Sequence, residues 1–510
     1  MLHRVSLLSC ALFAGLSGQV ATAADGVASG EVSRSQRVAP LAWRGAAYRN
    51  LRSSDMTYDA MPAERLLQLQ KRNVANGMKA PQVGIGRRAG VESTLVRLPR
   101  LKWLGDSRGN AVARLRIASP DALGLRVGLD VSRLPDGVEL RFAGSDRPND
   151  IVAMVRGVDA KRLLGPDGLY WTPGTDGELQ IIELFRPASV KAGSIALDAP
   201  MVSHLVADSR NSFKLIEKIG ESGSCNVDVI CRVNELGPAF ASVKNAVAHM
   251  RFTRTGGGTF ICTGTLLNDT VPGTQIPYFH SANHCFTNVE NGPPAASQMQ
   301  SVANTLQTYW NYETTGCANL TQTPLTVLTG GATYLYSSHT TDGMLLRLND
   351  AAPAGAYFAG WNARPLNASD AITAIHHPRG DSKKVSTGQT RSTTSDTTLV
   401  GWLSGTTEGG SSGSGLFSIG TKGYVLRGGL WNGDASCSNT GSMANALNVD
   451  EYSRFDIDFP QIKSWLEPQP EAVNGSRPLL RPRPASKTPS TAAQLHSLRP
   501  TTSGIGARKP

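Results

Sequence analysis

The cysteines constrain the fold of this chain more than any other feature of its sequence. The 510 residues contain seven cysteines, and all except Cys10 fall between residues 225 and 437. An even number confined to one stretch predicts three disulfides in a single cross-linked domain, although counting alone leaves the pairing open. Residues 24–218 contain none, which indicates a separate region made as part of a precursor. The six cysteines are Cys225, Cys231, Cys262, Cys285, Cys317 and Cys437.

The N-terminus predicts the oxidising compartment that disulfides need. A basic start precedes an apolar run from Val5 to Val20, and Ala21 to Ala23 form the small-x-small pattern that signal peptidase accepts. The run is short for a permanent membrane helix. We therefore expect a signal peptide over residues 1–23, cleavage after Ala23, and a secreted, extracellular protein with no membrane segment.

Composition divides the remaining chain into three parts. Residues 24–218 mix apolar alternation with turn signals such as Pro135-Asp136-Gly137, which predicts a β-rich region. Residues 219–467 alternate short strands with Gly- and Ser-rich loops and show a helical pattern only near 460–466, which predicts an all-β domain with a short C-terminal helix. Residues 468–510 are rich in proline and arginine, which predicts a flexible tail.

The net charge of +11 does not indicate a nucleic-acid-binding groove. The tail alone carries seven basic residues against one acidic residue, which is over half of the excess. The remaining charge is spread over a long chain, whereas a nucleic-acid groove concentrates positive charge on one face. We expect no nucleic-acid partner.

Three separated stretches carry the chemistry of an acyl transfer. An apolar strand runs into His284, Asp342 stands directly before a buried-looking strand, and Ser412 lies in a Gly-rich turn over residues 408–417. Acyl transfer needs a nucleophile, a base and a carboxylate that orients the base, and these three residues supply them. The backbone N–H groups of Gly410 and Ser412 are the natural donors to an oxyanion, because glycines leave such groups uncovered.

A metal site is the weaker interpretation of the histidines. His280 and His284 are four residues apart, but the metalloprotease pattern needs a glutamate after the first histidine, and Ser281 stands there. His376 and His377 are interpreted as loop or packing histidines. We expect neither a metal nor a cofactor.

Several short stretches resemble a known family. Ala282 to Cys285 resemble the Ala-Ala-His-Cys of chymotrypsin-like serine proteases, and Gly410 to Gly415 resemble their Gly-Asp-Ser-Gly-Gly-Pro. Five further stretches resemble the bacterial lysyl endopeptidases, namely residues 222–231, 309–312, 359–361, 374–378 and 450–452. The resemblance covers about residues 220–466. It implies a chymotrypsin-like double β-barrel with a short C-terminal helix, preceded by a β-rich propeptide, in a monomeric zymogen.

The same resemblance implies the disulfide pairs, which are Cys225 with Cys437, Cys231 with Cys317, and Cys262 with Cys285. It also places Asp450 as the acid that binds a basic residue before the cleaved bond (the P1 residue), with Glu408 as a second candidate carboxylate. Thr406 stands where trypsin-type enzymes carry that acid. Trp431 lines the predicted pocket where lysyl endopeptidases carry a histidine, so the choice between lysine and arginine stays open.

We therefore predict a secreted serine endopeptidase that cuts after lysine, or after lysine and arginine. We expect it to be released by cleavage after Lys218, with Lys214 as a nearby rival site. Its propeptide is expected to act as folding assistant and inhibitor. Ser411 replaces the aspartate that pairs with the new N-terminus in trypsin-type zymogens, so we expect no activation through that ion pair. Two alternatives remain, which are a protease-like binding protein with little or no activity and a serine protease of different P1 preference.

Overall fold

The computed structural model describes residues 26–47, 50–75, 80–209, 221–287, 293–317, 319 and 321–468. These residues belong to one compact unit that ends at Pro468. We call residues 26–209 the N-terminal region and residues 221–468 the C-terminal region. The predicted sites at Ala23 and Lys218 and the predicted tail lie outside the described residues. Within the described residues, every helix is too short or too polar to cross a membrane.

The N-terminal region is rich in strands, as predicted. Its central sheet has the order β3-β6-β12-β8-β9, and its own apolar core packs between this sheet and β7 and β13. The helices are α1 (Ala63–Ala75) and α2 (Gly157–Arg162). The strands are β1 (Val27–Ala28), β2 (Glu31–Val32), β3 (Ser53–Thr57), β4 (Gln82–Arg88), β5 (Leu104–Gly105), β6 (Ala111–Ala118), β7 (Gly124–Asp130), β8 (Glu139–Gly144), β9 (Ala153–Arg156), β10 (Tyr170–Trp171), β11 (Thr175–Asp176), β12 (Leu179–Arg186) and β13 (Asp198–Leu205).

The C-terminal region contains the predicted pair of barrels. Its helices are α3 (Val229–Val243), α4 (Asn283–Phe286), α5 (Ala296–Ala303) and α6 (Phe455–Leu466). Its strands are β14 (Val227–Asp228), β15 (Val247–Thr253), β16 (Thr259–Leu267), β17 (Tyr278–Ala282), β18 (Gln307–Trp310), β19 (Thr326–Leu328), β20 (Ala332–Ser337), β21 (Gly343–Leu348), β22 (Tyr357–Phe358), β23 (Gly360–Asn362), β24 (Ala371–His376), β25 (Lys384–Thr393), β26 (Thr397–Ser404), β27 (Gly415–Gly420), β28 (Gly423–Gly433) and β29 (Asp450–Ser453).

The pairing of these strands confirms the double β-barrel. Strands β28-β27-β24-β25-β26-β29 follow one another, and a β28–β29 pairing closes them into a six-stranded barrel. The preceding strands form a half-barrel in which β16 lies between β15 and β17. From these, the half-barrel continues through β18 and β19 on one side and through β21 and β20 on the other.

Of the six α-helices in the described residues, only α6 was predicted; α3 and α1 are the longest of the other five. Helix α1 lies in a stretch that we interpreted as strands and turns, although its sequence is amphipathic. Helix α3 is interrupted by a kink at Gly237, with a φ of 79°, followed by Pro238. Proline removes a backbone donor and breaks the helical hydrogen-bond pattern, so the hydrophobic period of α3 is too short to recognise. The predicted C-terminal helix is present as α6 and begins five residues earlier than the proline at which we placed it.

The N-terminal region forms β-structure with both barrels. Strand β4 pairs with β16 of the half-barrel, and β1 pairs with β23, which pairs in turn with β28 of the closed barrel. Arg126 of β7 joins the two regions and is almost completely buried. Its guanidinium donates to the Thr253 hydroxyl and the Thr305 carbonyl at 2.9 and 2.8 Å. Burial lowers the pKa of Arg126 to about 10, so the side chain stays charged at neutral pH.

The three disulfides have the pairing that the resemblance implied. Cys225 bonds to Cys437, and the two are 212 residues apart in the sequence. The other two bridges span 86 and 23 residues, between Cys231 and Cys317 and between Cys262 and Cys285. The longest bridge therefore ties the start of the C-terminal region to the segment before its last strand.

Helix α6 holds a carboxylate behind Asp342. Asp458 is 2% exposed, and it accepts hydrogen bonds from the Thr341 hydroxyl at 2.6 Å and from the Tyr336 hydroxyl at 3.1 Å. Burial and, to a smaller extent, the nearby Asp342 carboxylate raise the pKa of Asp458 to about 6, although the hydrogen bonds from Thr341 and Tyr336 oppose the shift. The helix thereby fixes the turn that carries Asp342.

The disulfide between Cys225 and Cys437 should contribute most to stability. In the chain-entropy description, a bridge restricts the unfolded chain more when its loop is longer, which gives about 5 kcal/mol for this bridge and about 3 kcal/mol for Cys262–Cys285. Both cysteines of one bridge are replaced by serine in a Ser412→Ala background, and the free energy of unfolding is measured by guanidinium titration. Loss of the Cys225–Cys437 bridge should lower it more than loss of the Cys262–Cys285 bridge. A larger loss from the Cys262 and Cys285 pair would contradict this.

Replacing Asp458 with asparagine should stabilise the protein at neutral pH. The pKa of Asp458 is higher in the folded protein than in the unfolded chain, so proton binding by Asp458 favours folding. This contribution to the free energy of unfolding is fully present below pH 4 and is lost as pH rises through about 6. In a Ser412→Ala background, Asp458→Asn should exceed its parent in urea unfolding by about 3 kcal/mol at pH 8 and match it near pH 4. Asp456→Asn, on the same helix, should show no such gain. A gain that does not depend on pH would refute this explanation.

Candidate active site

Strand pairing brings His284 to Asp342. Strand β17 pairs with β21 so that Ala282 lies opposite Gly343, and the two functional residues stand just beyond this pair. His284 Nδ1 lies 2.6 Å from one Asp342 carboxylate oxygen, and the His284 backbone N–H donates to the other at 2.8 Å. Because an ionised carboxylate only accepts, this contact places the proton on Nδ1 and leaves Nε2 as an acceptor.

Ser412 lies on the open side of the same imidazole. Its Oγ is 2.8 Å from His284 Nε2, which gives a continuous hydrogen-bonded series from Ser412 through His284 to Asp342. The turn around Ser412 requires glycine at two positions. Gly413 has a φ of 76°, and a Cβ there would lie 2.2 Å from Ser281 Oγ. Gly410 has a φ of 96° and packs against backbone atoms of residues 377–380.

Backbone hydrogen bonds fix the direction of the Gly410 and Ser412 N–H groups. The Gly409 carbonyl accepts from the Arg379 N–H, and the Ser411 carbonyl accepts from the Ser414 N–H. In a trans peptide the C=O and the following N–H point in opposite directions, so the Gly410 and Ser412 N–H groups face away from those partners. Neither N–H donates to any group in the described part of the chain.

A neutral histidine supports the residue before Ser412. His376 Nδ1 lies 2.8 Å from Ser411 Oγ, and its Nε2 lies 3.0 Å from Ser386 Oγ. The Ser386 hydroxyl donates to the Thr406 carbonyl, so it accepts from Nε2–H, and Nδ1 accepts from Ser411. Burial, together with the nearby Lys384, lowers the pKa of His376 to about 3, so the ring is uncharged. The sequence analysis interprets His376 as a loop or packing histidine. The sequence feature that could have indicated its role is Ser411, which stands where trypsin-type zymogens carry an aspartate.

A buried arginine holds the turn that carries His284. The Arg254 guanidinium donates to the His284 carbonyl at 2.7 Å and to the Cys285 carbonyl at 3.0 Å, and it lies 4.2 Å from the centre of the Phe260 ring. Burial lowers the pKa of Arg254 to about 9. The Cys262–Cys285 disulfide ties the same turn to β16. No motif around Arg254 indicates this role.

Asp450, the predicted pocket acid, is completely buried beside the segment that leads to Ser412. One of its carboxylate oxygens accepts from the Trp402 indole N–H and from the Thr407 hydroxyl, both at 2.7 Å. Trp402 is itself fully buried and packs edge-on against Tyr452, so it belongs to the core. Trp431 lies on β28 and is partly exposed.

Glu408, the second candidate for the pocket acid, forms hydrogen bonds with other parts of the protein. Its carboxylate accepts from Arg379 Nε at 2.8 Å, from the Gly223 N–H at 2.8 Å and from the Asn226 amide at 3.0 Å. These contacts bind the first residues of the C-terminal region to the Ser412 turn. This arrangement favours a structural role for Glu408 over the predicted contact with substrate.

The described residues contain one group with the spacing of metal ligands, which is Cys262, Cys285 and His284. Its two sulfur atoms bond to each other, and disulfide sulfurs lack the thiolate charge that binds a metal. His280, the other member of the pair considered for zinc, is buried and packs against Phe455 with ring centres 5.9 Å apart.

Two family models match the chain. The model described as "Lysyl endopeptidase, C-terminal domain" matches residues 219–453, and the model described as "Lysyl endopeptidase N-terminal domain" matches residues 57–206. A lysyl endopeptidase of Pseudomonas aeruginosa is 34% identical over 491 residues, which cover 92% of this chain and 100% of that protein.

Solved structures of serine proteases resemble the chain more distantly. The thermostable serine protease AL20 from an extremophilic microorganism is 15% identical, with a TM-score of 0.29, over 43% of this chain and 93% of that one. The HtrA-type protease AlgW with a tripeptide is 15% identical, with a TM-score of 0.30, over 45% of this chain and 62% of that one, which is less than two thirds of its length.

The family assignment rests on the sequence matches. Both halves of the described chain match the corresponding halves of one protein family, and the curated relative aligns from end to end. The chain therefore belongs to the lysyl endopeptidase family and is a serine endopeptidase.

Proposed function

We propose that this chain is the precursor of a secreted serine endopeptidase that cuts peptide bonds after lysine, using Ser412, His284 and Asp342. The observation that carries the proposal is the series of hydrogen bonds from Ser412 Oγ through His284 to Asp342. Residues 1–23 act as the signal peptide, and the N-terminal region acts as a propeptide that is removed by cleavage after Lys218.

The reaction begins at Ser412. Its Oγ attacks the substrate carbonyl carbon while His284 Nε2 takes the hydroxyl proton. Asp342 keeps the Nδ1 proton in place and stabilises the imidazolium that forms. His284 then gives the proton to the leaving amine, and an acyl-enzyme remains on Ser412. Water attacks this ester through the same base, which releases the acid product and restores the Ser412 hydroxyl.

The developing oxyanion is bound by the N–H groups of Gly410 and Ser412. Their direction is set before substrate arrives, because the neighbouring carbonyls are already hydrogen-bonded. Fixed donors of this kind lower the barrier without a reorganisation cost at the moment of reaction. Ser411 and its neutral partner His376 support this turn from behind, in place of a charged pair with a new N-terminus.

Asp450 binds the P1 ammonium group. A cation needs a carboxylate partner when it is removed from water, and Asp450 is the buried acid beside the Ser412 turn. One of its oxygens already accepts two hydrogen bonds, from Trp402 and Thr407. A guanidinium fork uses both oxygens of a carboxylate, whereas an ammonium group bonds as a point charge. This favours lysine over arginine.

Ser412→Ala should abolish turnover. Loss of the nucleophile in a serine protease costs about 10⁶-fold in rate. The processed variant and its parent are incubated with a denatured protein of known sequence, and every new terminus is mapped by mass spectrometry. Ser418→Ala, a serine on β27 that bonds to Arg427, should retain full activity. Cleavage by Ser412→Ala, or cleavage of its own precursor, would contradict the assignment.

Asp450→Asn should selectively weaken cleavage after basic residues. Truncating one partner of a buried charge pair costs about 3 kcal/mol, so kcat/KM for lysyl peptides should fall about 10²-fold or more. Peptides with an uncharged P1 residue should change far less, and Glu451→Gln, next along β29, should behave like its parent. An equal loss for all peptides would remove Asp450 from the pocket. A folded, processed parent that cuts nothing would favour the binding-protein alternative.

A further inference from the structure

The N-terminal region covers the edge of the strand that supports Ser412. Strand β4 pairs antiparallel with β16, with Gly84 opposite Thr259 and Gln82 opposite Phe260. One residue further along β16, the Ile261 N–H donates to the Pro81 carbonyl at 3.1 Å. Residues 81–84 thus follow the first part of β16 as an added strand.

The direction of this strand leads towards the nucleophile. Antiparallel strands run in opposite directions, so each residue nearer the start of the N-terminal region lies further along β16. Two residues beyond Ile261, the Thr263 N–H donates to the Ser412 carbonyl at 2.8 Å, and its hydroxyl donates to the Gly410 carbonyl at 2.9 Å. The sequence Gln82, Pro81, Ala80 therefore approaches Ser412 step by step.

Ala80 is 4% exposed and belongs to the apolar cluster that contains Cys262 and Cys285. These cysteines bond to each other, and Cys285 directly follows His284. In acyl transfer the histidine gives its proton to the leaving amine, so the leaving-group half of a substrate must lie on the same side of Ser412 as His284.

We propose that Ala80 to Gln82 occupy the leaving-group subsites of the active site and keep the precursor inactive by direct competition. The inference rests on the proposed function, because it assigns a regulator to the same site. The ligand class of these subsites is an extended peptide that adds to residues 259–261 as an antiparallel strand, with main-chain hydrogen bonds that do not depend on its sequence.

Pro81 makes the covering strand a poor substrate. Proline has no N–H, so the only main-chain hydrogen bond between Pro81 and Ile261 is the one that the Ile261 N–H donates. Any other residue at position 81 would carry an N–H that could donate a second bond to Ile261. The chain runs from Ala80 to Gln82 away from Ser412 in the N-to-C direction, which is the direction of the leaving-group half of a bound peptide.

The side chains at this edge are also covered. Ile261 is 2% exposed and packs in a cluster with apolar residues of the N-terminal region, including Val83, Ile85 and Val206. Ser412 has no exposed surface in the full chain. Removing the N-terminal region would uncover both Ile261 and its N–H, and an uncovered strand edge readily accepts another extended chain.

The first test measures amide hydrogen exchange at Ile261 in Ser412→Ala protein. Three samples are compared, which are the precursor, the processed enzyme, and the processed enzyme with a peptide that continues several residues beyond its lysine. Exchange should be slow in the precursor, roughly 100-fold faster after processing, and slow again with the peptide. Unchanged exchange after processing, or no protection by the peptide, would overturn the proposal. This test needs no substitution in the N-terminal region.

The second test displaces the strand in an active, full-length precursor whose candidate processing lysines are removed by Lys214→Gln and Lys218→Gln. Adding Ala80→Trp should raise the rate on a long lysyl peptide by about tenfold or more. The control, Asp167→Asn, weakens another contact between the regions, in which Asp167 accepts the Gly256 N–H at 2.8 Å. The control should leave the rate low. An equal rise in both variants would show that the block is not in the leaving-group subsites.

The two proposals fail in different ways. Precursor rates are expressed relative to the processed enzyme on the same peptide, so the ratio does not depend on the preferred P1 residue. If the processed enzyme does not cut after lysine, the proposed function is wrong. If it cuts normally and Ala80→Trp leaves the precursor as inactive as its parent, only the leaving-group inference is wrong.

Discussion

Thr263 joins the two barrels at the candidate active site. Its N–H and hydroxyl donate to the carbonyls of Ser412 and Gly410, so one residue of the half-barrel fixes the turn of the closed barrel. His284 and Asp342 belong to the half-barrel and Ser412 to the closed one. The 2.8 Å contact between His284 and Ser412 therefore depends on how these two sheets are held together. Catalytic contacts tolerate displacements of only a fraction of an ångström, so the geometry of the candidate site depends on this junction.

The buried polar groups of the protein offset the cost of their burial in different ways. His376 avoids a charge, because its ring is neutral and both nitrogens have hydroxyl partners. Arg254 and Arg126 keep their positive charges and donate hydrogen bonds to carbonyl and hydroxyl oxygens. Asp458 keeps a raised pKa beside Asp342. Networks of this kind rigidify a site when every member is satisfied and weaken it when one partner is lost. The turns of the candidate site are thus held by polar contacts from α6, from the end of β24 and from the residue that follows β15.

The N-terminal region is integrated into the protein by main-chain pairing, and not only by surface contact. Strand β4 extends the half-barrel and β1 extends the strand order of the closed barrel. Such pairing gives affinity without demanding particular side chains. Its removal would leave new strand edges, to which another extended chain could add.

The sequence by itself determined the disulfide-rich β-domain and the β-rich region ahead of it, and it predicts His284, Asp342 and Ser412 as the catalytic residues, because local motifs and periodic patterns record these features. It missed helix α3, whose period is interrupted at Gly237 and Pro238. It also offered Glu408 as a second candidate for the pocket acid, and in the structure this carboxylate accepts hydrogen bonds from Arg379 and Gly223. The support from Arg254 and His376, the burial of Asp450 against Trp402 and Thr407, and the course of Ala80 to Gln82 along β16 were decided only by the tertiary structure. These contacts join residues far apart in the chain, and only the packing of the sheets specifies which distant atoms meet.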